Sequence, residues 1–354
     1  MNLQFWEGKK VFVTGHTGFK GSWTVIWLKK LGAIVKGYAL APNTDPSLFK
    51  VARVNEGILS DIGDIRDLNN LKQSILDFQP DIVIHMAAQP LVRLSYQDPV
   101  GTYQTNVLGT VNLLEAVRSC PSVQSVVNVT TDKCYENNEW NWGYRENEPM
   151  GGYDPYSSSK GCSELVTSAY RRSFFSDQSD VSLASARAGN VVGGGDWSDD
   201  RLIPDVLKAF NSAEPVLVRN PDATRPWQHV LEPIRGYFSL AEKLYTCGDK
   251  FATGWNFGPN DECVQTVSYV LDYFVANWPK TVYWTLDLRD QPHEAKLLKL
   301  DISKAKAELG WSPKMNLNST LHSIIDWHSS WASGEDMRAV TINQIIKYES
   351  LLED

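Results

Sequence analysis

Short apolar runs alternate with longer stretches of helical periodicity through the first half of the chain. Lys10–Thr14, Ile34–Tyr38, Asp81–His85, Ser125–Val129 and Ser182–Ala186 read as strands, and the segments between them are long enough to bring each strand back parallel to its neighbour. The runs are apolar almost continuously rather than at every second position, which is the pattern of strands covered on both faces. A parallel sheet built from βαβ crossovers is therefore predicted. Beyond Asn190 the texture changes: Gly193-Gly194-Gly195-Asp196 opens a mixture of Pro, Trp and short strand-like runs, with helical patterns near 231–246, 264–277 and 316–333. The predicted division is residues 1–190 for the sheet and 191–354 mainly for a smaller mixed α/β unit, with segments near 226–255 returning to the first and a cleft between the two.

Composition narrows the class. A chain of 354 residues with 42% hydrophobic and 21% charged residues buries a sizeable core without staples. No apolar stretch approaches the roughly 20 residues that span a bilayer, and Met1–Lys10 has no signal core, so a soluble, cytoplasmic protein is expected. Cys120, Cys134, Cys162, Cys247 and Cys263 are odd in number and lack metal-ligand spacing, which argues for reduced thiols and no metal. A net charge of -8 disfavours nucleic acid and anionic membranes as partners, though not a small anionic ligand.

The first strand runs directly into Gly15-His16-Thr17-Gly18-Phe19-Lys20-Gly21 and then into a helix. Glycines at that spacing let the backbone approach a pyrophosphate while the helix N-terminus offers unpaired N–H groups, and Lys20 and His16 add positive charge. After the second strand the customary ribose-binding carboxylate is missing, which leaves NAD against NADP open. A third strand is implied just ahead of Ser60, before Asp81–His85, and in the segment Ser60–Asp67 that follows it Asp64 and Ile65 are placed at the adenine; Asp67 reads equally well as a helix cap. Ala87, Ala88 and Gln89 leave room for a cofactor at the end of the fourth strand, or reflect sheet–helix packing.

Tyr156 and Lys160 open a helix at a spacing of four, on one face, where an ammonium beside a phenol lowers its pKa toward that of a useful base; the alternative is a solvated helix face. The fifth strand delivers Thr131, Asp132 and Lys133 to the same sheet edge. Thr131 suits a substrate oxygen, and Asp132 with Lys133 forms an acid/base pair beyond what a plain dehydrogenase requires; a strand-end turn with a surface salt bridge is the alternative.

With these motifs the sequence resembles the extended short-chain dehydrogenase/reductase family over nearly its whole length, through Thr14–Gly21, Asp64–Asp67, Ala87–Gln89, Asn106–Thr110 and Tyr156 with Lys160. The resemblance implies an α/β fold, a Rossmann-type doubly wound parallel sheet with a smaller substrate-binding domain, with NAD as cofactor and Asn106 beside it. Thr131-Asp132 resembles the nucleotide-sugar 4,6-dehydratases, and Thr131-Asp132-Lys133-Cys134-Tyr135 is similar to those acting on CDP-glucose. The implied roles are Tyr156 as base at the sugar 4-hydroxyl, Asp132 as acid toward the leaving hydroxyl, and Lys133 as base at C5 or as an electrostatic stabiliser. For the substrate the resemblance points to Asn190, Arg201, Arg219, Arg225, Trp227 and His293. It also implies a homodimer or higher oligomer pairing through helices near 98–119 and 156–176, and a place in deoxysugar synthesis for bacterial surface polysaccharide. A 4-epimerase and a catalytically silent dinucleotide sensor are the competing readings.

Overall fold

The computed structural model describes residues 1–176, 179–212, 214–287 and 297–352. In chain order the elements are β1 Lys10–Thr14, α1 Phe19–Lys30, β2 Ile34–Ala39, α2 Leu48–Val51, β3 Leu59–Ile62, α3 Leu68–Phe78, β4 Ile82–His85, α4 Val92–Gln97, α5 Pro99–Tyr103, α6 Gly109–Arg118, β5 Ser125–Val129, α7 Pro155–Ser173 and β6 Ser182–Arg187. There follow β7 Val191–Val192, α8 Leu202–Asn211, β8 Val216–Val218, β9 Thr224–Pro226, β10 Gln228–His229, α9 Leu231–Cys247, β11 Gly254–Asn256, β12 Val264–Thr266, α10 Val267–Asn277, β13 Trp284–Leu286, α11 Ser303–Leu309, α12 Leu317–Ala332 and α13 Met337–Ser350.

Seven strands form one sheet in the order β11-β6-β5-β4-β1-β2-β3, every pair parallel. The α/β expectation holds, and all five strands read from the sequence are present to within a residue at either end. One boundary differs: Ser60 belongs to β3 rather than to the loop after it. That strand is the exposed edge, with Leu59 and Ile62 open to solvent, so it lacks the continuous apolar run that marks the central strands.

Two cores flank the sheet, and strand residues alternate between them. Val11, Val13, Ile82, Ile84, Val127 and Ala184 pack with α1 and α9 on one face, whereas Phe12, Val83, Val126 and Leu183 pack with α3 and α6 on the other. A third core joins α8, α10 and α12 around Phe210, Phe274 and Leu321. α1 carries almost no polar stripe because α13 covers its outer side: Trp27 Nε1 donates to Glu349 Oε1 at 2.8 Å, and Lys30 pairs with the same carboxylate. Parallel order places the C-terminal ends of β1, β4, β5 and β6 along one edge, where the motif residues gather. No helix among the described residues is long and apolar enough to cross a membrane.

Candidate active site

Gly15, at φ 77°, turns the chain sharply out of β1. A Cβ there would come within 2.7 Å of the Ala87 nitrogen, and one at Gly21 within 2.1 Å of the Gly15 oxygen, so both glycines exist for close packing. Gly18 differs, since its nearest neighbour would be 3.5 Å away. It caps α1 without a side-chain hydrogen bond, and the first turn holds no acidic residue, which leaves a helix N-terminus offering N–H groups to an anion.

The charges expected on this loop are weaker than the sequence implied. His16 is buried, bonded through Nε2 to Ser60 Oγ at 2.7 Å, and burial pulls its pKa down to about 4, so it is neutral near pH 7. Lys20 is lowered to about 7 by burial, with Arg201 and Lys160 repelling it further. The Asp132 carboxylate acts on Lys20 in the opposite direction, raising it.

In the loop after β3, the Asp64 carboxylate is gripped by Arg66, with Nη2 to Oδ2 at 2.6 Å. Ile65 is buried in the second core beneath Gly109. Asp67 is a helix cap, accepting from Asn70 N at 3.1 Å.

The Met86 and Ala87 amides both donate to Thr14 Oγ1 at 3.1 Å, fixing the turn after β4 to the end of β1. Ala88 follows, half-buried. Asn106 accepts from Gln89 N at 2.8 Å and donates to Gln89 O at 3.0 Å and to Ser159 Oγ at 2.8 Å. Its amide thus ties Ala87–Gln89 to the turn of α7 that carries Lys160.

Asp154 caps α7, accepting from Ser157 N at 3.0 Å, with Pro155 in the first turn, so the helix starts one residue before Tyr156. The Tyr156 hydroxyl lies beside Thr131, whose Oγ1 donates to Asp132 Oδ1 at 3.0 Å. Asp132 is buried, and its Oδ2 has no hydrogen-bond partner among the described residues. Lys133 follows in the same 3₁₀ turn, Asp132–Cys134, half-buried. Lys160 Nζ donates to the Val129 carbonyl at 3.3 Å.

The expected lowering of the phenol by the lysine is not what this geometry gives. Burial pushes Tyr156 up to about 12, against the opposing influence of the Thr131 hydroxyl beside it. Burial also brings Lys160 down to about 8, partly offset by Glu164. Desolvation outweighs the pair interaction because both groups are enclosed and the ammonium is turned to a carbonyl.

On the opposite wall Asn190 adopts a left-handed conformation, φ 47°, and its carbonyl accepts from Gln228 N. Arg201 pairs with Asp196 at 2.9 Å and lies within the field of Tyr156. Arg219 is exposed just past β8, and Arg225, in β9, donates to Thr224 O. Asn220, Asp222, Ala223, Thr224 and Leu297 line a cavity of about 470 Å³ between them. Trp227 is buried in the third core and donates to Gln265 O at 3.1 Å. His293 lies outside the described residues.

Three residues of this region escaped the sequence reading. Glu164 completes a ladder with Tyr156 and Lys160 at a spacing of four, a legible signal. Asp196 stands five residues before the arginine it holds. Tyr237 of α9, coupled electrostatically to Tyr156 and with Lys20 Nζ 6.0 Å from its ring, gave none.

A family model described as GDP-mannose 4,6 dehydratase matches residues 12–324. A CDP-glucose 4,6-dehydratase of Salmonella typhimurium is 58% identical over 354 residues, covering 99% of each chain. A dTDP-glucose 4,6-dehydratase of Haemophilus influenzae is 24% identical, over 90% of this chain and 97% of its own. Among solved structures, UDP-glucose 4-epimerase of Thermotoga maritima with UDP-glucose superposes at TM-score 0.78 and 22% identity, covering 91% of this chain and 99% of that one. dTDP-glucose 4,6-dehydratase of Bacillus anthracis in complex with NAD gives 0.74 and 21%, covering 91% and 97%. At such identities the superpositions speak for the fold alone, and it is the matched family model and the full-length relative that place this chain in the GDP-mannose 4,6 dehydratase family.

Proposed function

We propose that this chain is a CDP-glucose 4,6-dehydratase, converting CDP-D-glucose to CDP-4-dehydro-6-deoxy-D-glucose and water with NAD as cofactor. The observation that carries the reading is the 58% identity to the Salmonella typhimurium enzyme along the whole chain. The site agrees with it: Asp132 is hydrogen-bonded to the threonine that touches Tyr156, so a group suited to elimination stands beside the groups suited to oxidation.

The uncapped start of α1 at Gly18, with Gly15 and Gly21 drawing the loop flat, fits a dinucleotide pyrophosphate. His16, Phe19, Lys20, Asp64, Ile65, Ala87, Ala88, Gln89 and Asn106 would line or brace the rest of the cofactor cleft. When bound, NAD supplies a hydride acceptor for sugar C4 and a donor for C6.

Tyr156 takes the proton of the 4-hydroxyl, and the resulting ketone acidifies the C5 proton. Lys133 removes that proton while Asp132 protonates the departing 6-hydroxyl, so water leaves across C5 and C6. The C5 proton then returns from Lys133 as C6 is reduced. The proton taken by Tyr156 balances the one given by Asp132. Arg201, Arg219 and Arg225 suit the diphosphate because their fork of donors engages two oxygens at once. Asn190, Trp227 and His293 complete the substrate side, and residues 191–354 supply most of the substrate-binding domain.

The same reading takes the protein as cytoplasmic and as an early enzyme of deoxysugar supply to O-antigen and lipopolysaccharide. It also makes it a homodimer or higher oligomer, with Val100, Leu108 and Leu165 exposed on the pairing helices. The test is incubation of the purified protein with CDP-glucose and, separately, dTDP-glucose, following 4-keto-sugar absorbance after alkali with and without added NAD. Product from CDP-glucose alone supports the assignment; product only from dTDP-glucose overturns the substrate, and silence with both overturns the chemistry.

A further inference from the structure

Glu164 lies one helical turn beyond Lys160 and is buried. Arg187 of β6 grips both its oxygens, Nε to Oε1 at 3.0 Å and Nη2 to Oε2 at 2.8 Å. Ser185 Oγ donates to Oε2 at 2.6 Å and Thr130 Oγ1 to Oε1 at 2.5 Å. Arg187 Nη1 continues to the Tyr135 hydroxyl at 2.5 Å, which in turn donates to Asn256 Oδ1 at 2.8 Å. Thr130 and Tyr135 flank the turn bearing Thr131, Asp132 and Lys133, so one network brackets that turn and reaches α7, β6 and β11.

A buried ion pair adds little net stability, because desolvation offsets most of the attraction. Its position is the informative part. We infer that Glu164 is a positioning residue: clamped by Arg187, its carboxylate is the counter-ion of the Lys160 ammonium, and the same clamp fixes the Thr131–Lys133 turn against α7. The inference rests on the dehydratase reading for what Lys160 does; where the carboxylate is held rests on its i, i+4 placement beside Lys160 on α7, both side chains buried, and on the Arg187 clamp.

Besides Tyr156 and Glu164 on its own helix, Lys160 faces Cys134 from the turn, Lys20 from α1 and His85 from β4. Burial keeps the thiol protonated and, with His85 lowered to about 3, the imidazole neutral, while Lys20 repels. Glu164 is therefore the anion that acts on the ammonium most strongly. Burial works against the carboxylate too, but Arg187, Ser185 and Thr130 more than offset it and hold Glu164 below the usual glutamate range. Lys160, already at about 8, would lose its proton in the neutral range without this partner.

The test is the double variant Glu164→Gln with Arg187→Met, which removes both charges and avoids stranding a buried cation. Lysines labelled with carbon-13 at Cε are titrated by NMR in variant and wild type, with Lys160 assigned through Lys160→Arg. The Lys160 midpoint is expected to fall by about one pH unit; an unchanged midpoint overturns the inference. Should the double variant not fold, Glu164→Gln alone is titrated with the same two readings. Turnover of CDP-glucose is followed across pH alongside. An alkaline limb that moves down with the midpoint supports the role in catalysis, and one that stays while the midpoint moves overturns it. A wild type inert toward CDP-glucose defeats the dehydratase reading and leaves the titration, which needs no substrate, to judge the counter-ion.

Discussion

The Lys160 ammonium donates to the Val129 carbonyl at 3.3 Å, joining the last residue of β5 to the second turn of α7 at the floor of the cleft. That bond fixes the helix carrying Tyr156 relative to the turn carrying Thr131 and Asp132. The phenol itself is enclosed and pushed up to about 12, so its proton affinity is set by burial and by what the closed site provides.

Tyr156→Phe deletes one hydroxyl and leaves the ring in place. Removing a general base of this kind costs about 10²- to 10⁴-fold in rate, and that loss is expected in turnover of CDP-glucose with the near-ultraviolet circular dichroism unchanged. A variant within tenfold of wild type would place the base elsewhere.

Asp132→Asn separates oxidation from water loss. The carboxylate is buried with one oxygen unpartnered among the described residues, so an amide fits the space with little loss of hydrogen bonding. Release of 4-keto product should fall about 10²- to 10⁴-fold, while the near-ultraviolet absorbance of reduced nicotinamide rises on adding CDP-glucose and persists. Product release at the wild-type rate excludes Asp132 as the acid.

Gly15→Ala tests the phosphate loop. The residue holds φ 77°, where a Cβ costs about 1–2 kcal/mol. The added methyl would also meet the Ala87 backbone at 2.7 Å, which a flexible side chain cannot relieve. NAD binding, read by fluorescence quenching or calorimetry, should weaken at least tenfold. Binding equal to wild type shows that the loop does not carry the pyrophosphate.

The central strands and the motif positions were legible because each rests on a local rule. Strands covered on both faces must be apolar throughout, and a loop between strand and helix needs glycine where the backbone turns at Gly15. The edge strand β3 was less legible because exposed Leu59 and Ile62 break that rule. Charge states were not legible at all. His16 and Lys20 read as cations on the loop, and burial, which only the tertiary structure sets, makes the first neutral and weakens the second. Glu164 could be read from its spacing, but its clamp could not, since Arg187 arrives from a strand 23 residues on. Tyr237 reaches the cluster from the other face of the sheet, an adjacency no periodicity encodes.

Four buried histidines make the fold sensitive to mild acid. His85 and His229 are lowered to about 3, and His16 and His328 to about 4, from 6.5, each chiefly by burial. In every case the folded pKa lies below the unfolded one, so the unfolded chain binds the extra protons. The stability each contributes is present above pH 6.5 and is lost as pH falls from there toward 3–4. A unit below 6.5, each group sheds about 1.4 kcal/mol per further pH unit. Asp205, raised to about 6 by burial, runs the other way and offsets part of one histidine's contribution between pH 6.5 and 5.5, and Glu146 and Glu232 are raised in the same direction. Urea midpoints measured at pH 7.5, 6.5 and 5.5 should therefore fall steadily, and His16→Asn, which retains a donor toward Ser60, should flatten the slope by roughly one proton's worth. A midpoint constant across that range would mean the histidines are not neutral in the folded protein.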